Sequence, residues 1–310
     1  MQQEEHRKEE TTMMNRQTFN ETMKTIISRE LGAAYQVSLE QLVKVNQTLD
    51  ALVVRKENGV LGLSIYLNPY FEMYSQVGGD MERYASKLLD DYADRSMEAA
   101  MASFDLTFLK DKESILGKVY YRIINRGKNQ ELLNNAPHTA LFGSNELVRV
   151  YCILVSNGED GISSITLTHS LMEQFHLSEE EVVSNAVKNT PLLFPATFKA
   201  MKDVLGELMG YLVDDCDVPL WVLSNEQNVN GASAMGYENL LDKIATQLGT
   251  SFYVLPSSLH EVLICTNLEM PPAILREMVQ MVNEDQVAES DFLSDEVFYY
   301  DYDNHSLSVA

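Results

Sequence analysis

Hydrophobic positions along this chain follow two periods, and the changes between them mark out the elements. From Phe19 the apolar residues Phe19, Met23, Ile26, Ile27 and Leu31 return every three or four positions, which places them on one helical face, and Gly32 is placed to end that helix. Three β-rich runs follow, Tyr35 to Val45, Leu49 to Lys56 and Val60 to Leu67, with Glu57-Asn58-Gly59 between the last two as a hairpin signal. Asn68-Pro69 reads as the end of the sheet segment, because a residue before proline is pushed towards extended geometry. Met81, Tyr84, Leu88, Leu89 and Tyr92 then form the apolar stripe of a helix over Asp80 to Ala102, and Ile115, Val119, Ile123 and Ile124 form a second helical stripe.

A second unit is expected from Pro137. Leu147 to Ser156 and Ile162 to Leu167 read as strands joined by Asn157-Gly158-Glu159-Asp160-Gly161, whose glycines and Asx residues suit a reversed turn. Helices are expected over Ser170 to Gln174, Ser178 to Lys188 and Pro195 to Gly210, the second opened by Ser178 and Glu181 in a capping-box spacing. After them come a strand (Leu220 to Ser224), a turn at Asn230-Gly231, a short strand, a helix (Tyr237 to Leu248), two strands (Ser251 to Leu255 and Glu261 to Thr266), a helix (Pro272 to Val282) and a late strand (Val297 to Tyr302). Strands mixed with helices, without strict βαβ alternation, indicate an α+β fold with mixed or antiparallel sheets and packed helices. The expected organisation is a polar, disordered leader over 1–17, an N-terminal α+β unit over 18–136 and a C-terminal α+β unit with an acidic tail over 137–310. Met1, Met13 and Met14 all remain open as the start.

Charge alters the picture most. The 310 residues carry 23 Lys and Arg against 46 Asp and Glu, a formal net charge of -23. After Lys202 the basic residues are Lys243 and Arg276 alone, and after Arg276 there are none, while Glu284, Asp285, Glu289, Asp291, Asp295, Glu296, Asp301 and Asp303 follow. Such a surface repels a phosphate backbone, so direct nucleic-acid binding is disfavoured; it suits a basic protein partner, a mimic of nucleic acid, or plain solvation. The absence of a long apolar run disfavours a membrane role, and the polar start lacks the apolar core of a secretory signal. Three dispersed cysteines, Cys152, Cys216 and Cys265, form no disulfide or zinc framework, so the expected compartment is the cytoplasm.

Four stretches, read in order, carry a resemblance. They are Ile65-Tyr66-Leu67-Asn68 with Phe71 and Tyr74; Asn185 to Pro195; Val222-Leu223-Ser224-Asn225 with Asn230-Gly231-Ala232; and Tyr253 to Val262, which holds Leu255-Pro256-Ser257-Ser258-Leu259-His260-Glu261-Val262. Over Phe19 to Leu307 the chain resembles the bacterial family called domain of unknown function 5688. Its second half is also similar to a neighbouring family of spore-forming bacteria. The resemblance implies a bacterial cytosolic protein with an accessory role, often carried on mobile elements. It supplies no catalytic residue, cofactor or partner.

Candidate chemistry centres on Ser257, Ser258, His260 and Glu261, since serine, histidine and carboxylate are the parts of an activated nucleophile. In an extended segment Ser258 and His260 share a face and Glu261 points away, so a hydrolase here needs an orienting group from elsewhere, such as Asn225. The competing reading is a turn whose hydroxyls satisfy backbone groups. His169 and His176, with Glu173 between them, lack the compact spacing of a zinc hydrolase. Asp214, Asp215 and Asp217 could bind a cation but lack a calcium-loop consensus, and they would suppress a thiolate at Cys216. Gly78-Gly79 has no partner Lys-Ser/Thr of a phosphate loop. No cofactor and no metal are expected. Phe298, Tyr299, Tyr300 and Tyr302 are read as an edge strand packed on the body or an exposed docking strip. The function expected from the sequence is a non-enzymatic interaction protein with an acidic surface, with a hydrolase using His260 and a nucleic-acid-mimicking inhibitor as alternatives.

Overall fold

The computed structural model describes residues 13–57, 62–101, 106–144, 146–158, 161–209 and 219–310. The chain divides into two compact units, one of residues 1–44 and 48–103 and the other of residues 45–47 and 104–310. The fold is α+β, and among the described residues the strands form three sheets.

In the first unit, α1 (Arg16–Leu31) begins one turn earlier than its apolar face. Asn15 accepts a hydrogen bond from the Thr18 amide at 2.9 Å, satisfying one of the donors that every helix start leaves open. Residues 13–17, assigned to a disordered leader by their polarity, are therefore folded: the Met14 amide donates to the Tyr74 hydroxyl at 3.0 Å. β1 (Tyr35–Lys44), β2 (Gln47–Lys56) and β3 (Gly62–Tyr66) make a meander, with Arg55 opposite Gly62 where the hairpin was expected. Its residues 58–61 lie outside the described residues. Asn68-Pro69 opens a helix, α2 (Asn68–Val77), rather than merely closing the sheet, because proline costs no hydrogen bond in a first turn. Gly78 ends α2, its amide bonded to the Tyr74 carbonyl at 2.7 Å, and α3 (Met81–Met101) follows. Phe19, Met23, Ile27, Leu52, Ile65, Leu67 and Leu88 form the core.

The second unit starts with α4 (Lys112–Leu116) and β4 (Val119–Asn125). The helical stripe expected at Ile115, Val119, Ile123 and Ile124 is thus divided between a short helix and a strand. Six of the seven residues of β4 are buried, so both faces are covered and no period of two is visible. Because β4 pairs with β6 over Val119–Ile153 to Asn125–Leu147, residues 104–136 belong to this unit and not to the N-terminal one. Then come α5 (Gln130–Asn135), β5 (His138–Ala140), β6 (Leu147–Gly158), β7 (Gly161–Thr166), α6 (His169–Gln174) and α7 (Glu179–Leu193). α7 carries the expected capping box and runs past Lys188, through Pro191.

The region expected as one helix from Pro195 is β8 (Ala196–Ala200) followed by α8 (Met201–Met209), because Ala196 to Ala200 pair along the strand after them. That strand is β9 (Leu220–Asn225), and a 3-10 helix, Gly231–Gly236, replaces the short strand expected after Asn230-Gly231. α9 (Leu240–Leu248), β10 (Phe252–Leu255), β11 (Val262–Cys265), α10 (Pro272–Gln286), β12 (Phe298–Asp301) and β13 (Ser306–Val309) complete the unit. The order in the large sheet is β13-β12-β10-β11-β9-β8. β12 is therefore flanked on both sides and is not an edge strand, but its aromatics do pack on the body: Phe298 and Tyr300 are buried, Tyr300 stacks on Phe252, and Tyr299 lies against Tyr253.

The two faces of this sheet carry different helices. Tyr300 pairs opposite Phe252 and its hydroxyl bonds Asp242 of α9, so α9 lies on the Phe252 face. Tyr253, Leu255 and Cys265 point the other way and pack with Leu275 and Val279 of α10. Among the described residues no helix is long and apolar enough to cross a membrane.

Candidate functional site

The motif residues of β9, the 3-10 helix and the loop between β10 and β11 meet at one junction. Ser224 Oγ donates to the His260 carbonyl at 2.7 Å, and the Ala232 amide donates to the Leu259 carbonyl at 3.2 Å. Asn225, nearly fully buried, closes a turn on Val229: its Nδ2 donates to the Val229 carbonyl at 2.9 Å and its Oδ1 accepts from the Val229 amide at 3.3 Å. Gly231 sits where nothing larger fits, since a Cβ there would lie 2.1 Å from Ser224 Oγ and 2.3 Å from the His260 carbonyl oxygen.

The proposed nucleophile parts are near one another but joined differently from a triad. Residues 256–261 are irregular, so alternation does not apply: Ser258 Oγ donates to Glu261 Oε1 at 3.0 Å and accepts from the His260 amide at 3.0 Å. His260 Nδ1 accepts from the Asn230 amide at 3.3 Å, which leaves the proton of a neutral ring on Nε2, 3.6 Å from Asp291 Oδ1. Neither ring nitrogen is bonded to the hydroxyl of Ser257 or Ser258, and Asn225 orients Val229 rather than His260. A serine needs a base within hydrogen-bond reach, and the hydroxyl of Ser258 is already committed to Glu261. The junction positions main chain; Ser257 and Glu261 face outward from it.

They face a trough on the α10 side of the large sheet. Its apolar end is a cavity of about 350 Å³ between the sheet and α10, with Leu220, Leu255, Leu263, Met270 and Met278 among its walls. Its polar end, about 590 Å³, reaches α8 at Met201 and Val204 and presents Thr197, Ser224, Glu226 and Glu261. Ser257 and Leu263 line both cavities. Lys199 also lines the polar end and has interactions of its own.

The helix beside the trough is wider in its apolar character than a buried stripe requires. Ile274, Leu275, Met278, Val279, Met281 and Val282 span about 160° of α10 at 3.6 residues per turn. Only Leu275 and Val279 of these are buried, and Met281 is 63% exposed. The polar edge of α10 is fixed instead: Asn283 Nδ2 donates to the Ser294 carbonyl at 2.9 Å and Arg276 pairs with Glu296 at 3.1 Å. This width was present in the sequence as a signal for the trough.

The other sequence candidates do not join it. His169 opens α6, whereas His176 lies beyond its end, so the two do not share a helix. Cys152 and Cys265 are buried free thiols, and burial pushes Cys265 above its ordinary pKa. Asp214, Asp215, Cys216 and Asp217 lie outside the described residues. Among the described residues no three His, Cys, Asp or Glu side chains gather as a metal site.

The motif junction is where the resemblance was strongest, and the family model covers it. The chain belongs to the family of unknown function DUF5688. The match extends over residues 16–302 and so takes in both units. No curated protein and no solved structure matches the chain. In this DUF5688 chain, Ser224, Asn225, Gly231, Ser258 and His260 meet at the junction as main-chain support beside an open trough.

Proposed function

We propose that the chain is a non-enzymatic interaction protein of a bacterial cytosol, which engages a basic protein partner through the acidic surface of its second unit. The observation that carries this reading is the charge around α10. From Glu261 to the C-terminus there are eleven acids and one base, Arg276, which is tied to Glu296 and the Ala310 carbonyl. Glu269, Glu277, Glu284 and Asp285 are all exposed, and they alternate with exposed Ile274, Met278, Met281 and Val282. The interleaving of acids with exposed apolar residues suits a protein interface with an apolar centre and a polar rim better than a face built of charge alone. His260 Nδ1 accepts from the Asn230 amide and neither ring nitrogen is bonded to a serine hydroxyl, which supports the non-enzymatic form.

A pull-down from a bacterial host lysate tests this, using the full chain and a version with Glu269, Glu277, Glu284, Asp285 and Glu289 changed to Gln or Asn, at low and moderate salt. A basic protein recovered by the native chain, lost on neutralisation and weakened by salt, is the expected result. Recovery of the same proteins by both versions at either salt would refute it.

A further inference from the structure

We infer that the apolar end of the trough and the exposed edge of α10 receive a basic amphipathic helix of the partner, an inference that rests on the interaction reading above. Ile274, Met278, Met281 and Val282 stand at i, i+4, i+7 and i+8, so they form one strip running about 12 Å along α10. Such a strip matches the two to three turns over which a helix lays its own i, i+3, i+4 and i+7 anchors in a groove. Beside the strip, lined by Met278 and Val282 on its α10 side and by Leu220, Leu255 and Leu263 of the sheet, lies the cavity of about 350 Å³, with room for a bulky apolar anchor. Met270 and Met278 at its wall are unbranched and adapt to the anchor's shape.

Charge selects the sign of the partner. Asp285 stands four and seven residues after Met281 and Met278, on the strip's own side of α10, and Glu277 and Glu284 flank Ile274 and Met281. Arg276 is on the opposite edge with its charge already paired, and Lys243 is on α9, across the sheet. An acidic helix would meet these carboxylates unpaired, whereas Lys or Arg on the partner's polar side would pair with them. At the far end, away from the strip, Glu226 and Glu261 line the trough together with Lys199.

The test uses three synthetic peptides of about 18 residues and the full chain. One is a Leu/Lys sequence with helical amphipathic spacing, one has the same composition scrambled, and one has Glu in place of Lys. Binding is followed by fluorescence anisotropy at low and moderate salt. The amphipathic Leu/Lys peptide should bind and the other two should not. Met278→Asp with Met281→Asp should weaken it at least about tenfold, the scale of losing anchors of somewhat over 1 kcal/mol in all. Both residues are exposed, so the variant should keep the native circular dichroism spectrum. Equal binding of the scrambled peptide would overturn the groove while leaving the acidic docking reading intact. Binding unchanged in the Met278/Met281 variant, or no binding of the amphipathic peptide, would overturn it as well. A lysate partner lost on acid neutralisation but indifferent to the Met278/Met281 variant would separate the two readings in the same way.

Discussion

At the level of single residues, the junction at Gly231 is the most demanding position in the chain. A methyl group there would meet Ser224 Oγ, the His260 carbonyl oxygen and, at 2.8 Å, the Asn225 amide nitrogen. Two of these atoms are main chain and cannot swing aside. Gly231→Ala is therefore expected to lower the urea midpoint by an amount worth about 2–3 kcal/mol, at the upper end of overpacking costs. Gly249→Ala is the control: its Cβ would meet nothing within 4 Å, and only the left-handed backbone (φ 70°) resists it. That change should cost about 1 kcal/mol, and Asn, which tolerates this conformation, should recover part of it. Equal losses at the two glycines would show that the close approach at Gly231 relaxes at little cost. The sequence made these residues visible as a motif but could not assign their roles. Ser258 and His260 read as a nucleophile and base because identity is local, whereas the partners that occupy them, Glu261, the Asn230 amide and Asp291, are set by loop shape and by a segment thirty residues away.

Elements were legible where one face is polar and obscure where both are buried. α1 and the hairpins show their periods plainly, but β4 is buried on both sides, and the spacing of Ile115, Val119 and Ile123 happens to fit a helix. What fixes β4 as a strand is non-local: it pairs with β6 on one side, and on the other its free edge is capped by side chains. The Tyr121 amide donates to Thr190 Oγ1 at 3.1 Å, the Ile123 amide to Ser233 Oγ at 3.2 Å, and Asn189 Nδ2 donates to the Leu116 and Val119 carbonyls at 2.9 Å. Side chains of α7 and the 3-10 helix thus do the work of a neighbouring strand, and an edge so covered presents nothing for another chain to pair with. Thr190→Val keeps the shape and removes the acceptor, leaving a buried amide unpaired. The expected cost is about 1–3 kcal/mol in chemical unfolding, with faster hydrogen exchange at Tyr121. Thr190→Ser should restore most of both. Stability unchanged in the valine variant would mean that water reaches the Tyr121 amide. The trough follows the same logic, since the wide apolar arc of α10 can be read from sequence but its opening toward the sheet cannot.

For the whole molecule, charge sets how stability responds to pH, and Glu146 gives a handle on it. Burial raises the pKa of Glu146, and repulsion from Glu296 and Asp295 acts in the same direction, against hydrogen bonds that include one from Asn125 Nδ2 at 3.0 Å. A carboxyl raised in the folded state contributes stability that is complete below its unfolded pKa, about 4.3, and is lost as pH rises through the folded value. At pH 7 the ionised Glu146 therefore works against the fold, in a chain that already carries a net charge of -23. Glu181 has the opposite sign. Lys112, at 2.7 Å, and the Ser178 amide and hydroxyl hold its pKa down to about 2, so its contribution is present above the unfolded value and lost as pH falls towards 2. Acidification from pH 7 should accordingly first raise the melting temperature, as Glu146 takes up its proton and repulsion eases, and then lower it below about pH 4. Glu146→Gln should melt about 2 °C higher than the native chain at pH 7, the scale of roughly 1 kcal/mol or less in a domain of this size. The two chains should converge near pH 4, where the native glutamate is itself protonated. Salt separates the causes: it should raise both melting temperatures by screening the surface acids while leaving most of the difference at pH 7, because that difference comes from desolvation and not from the exposed charge. A difference that disappeared with salt would instead assign it to repulsion from Asp295 and Glu296.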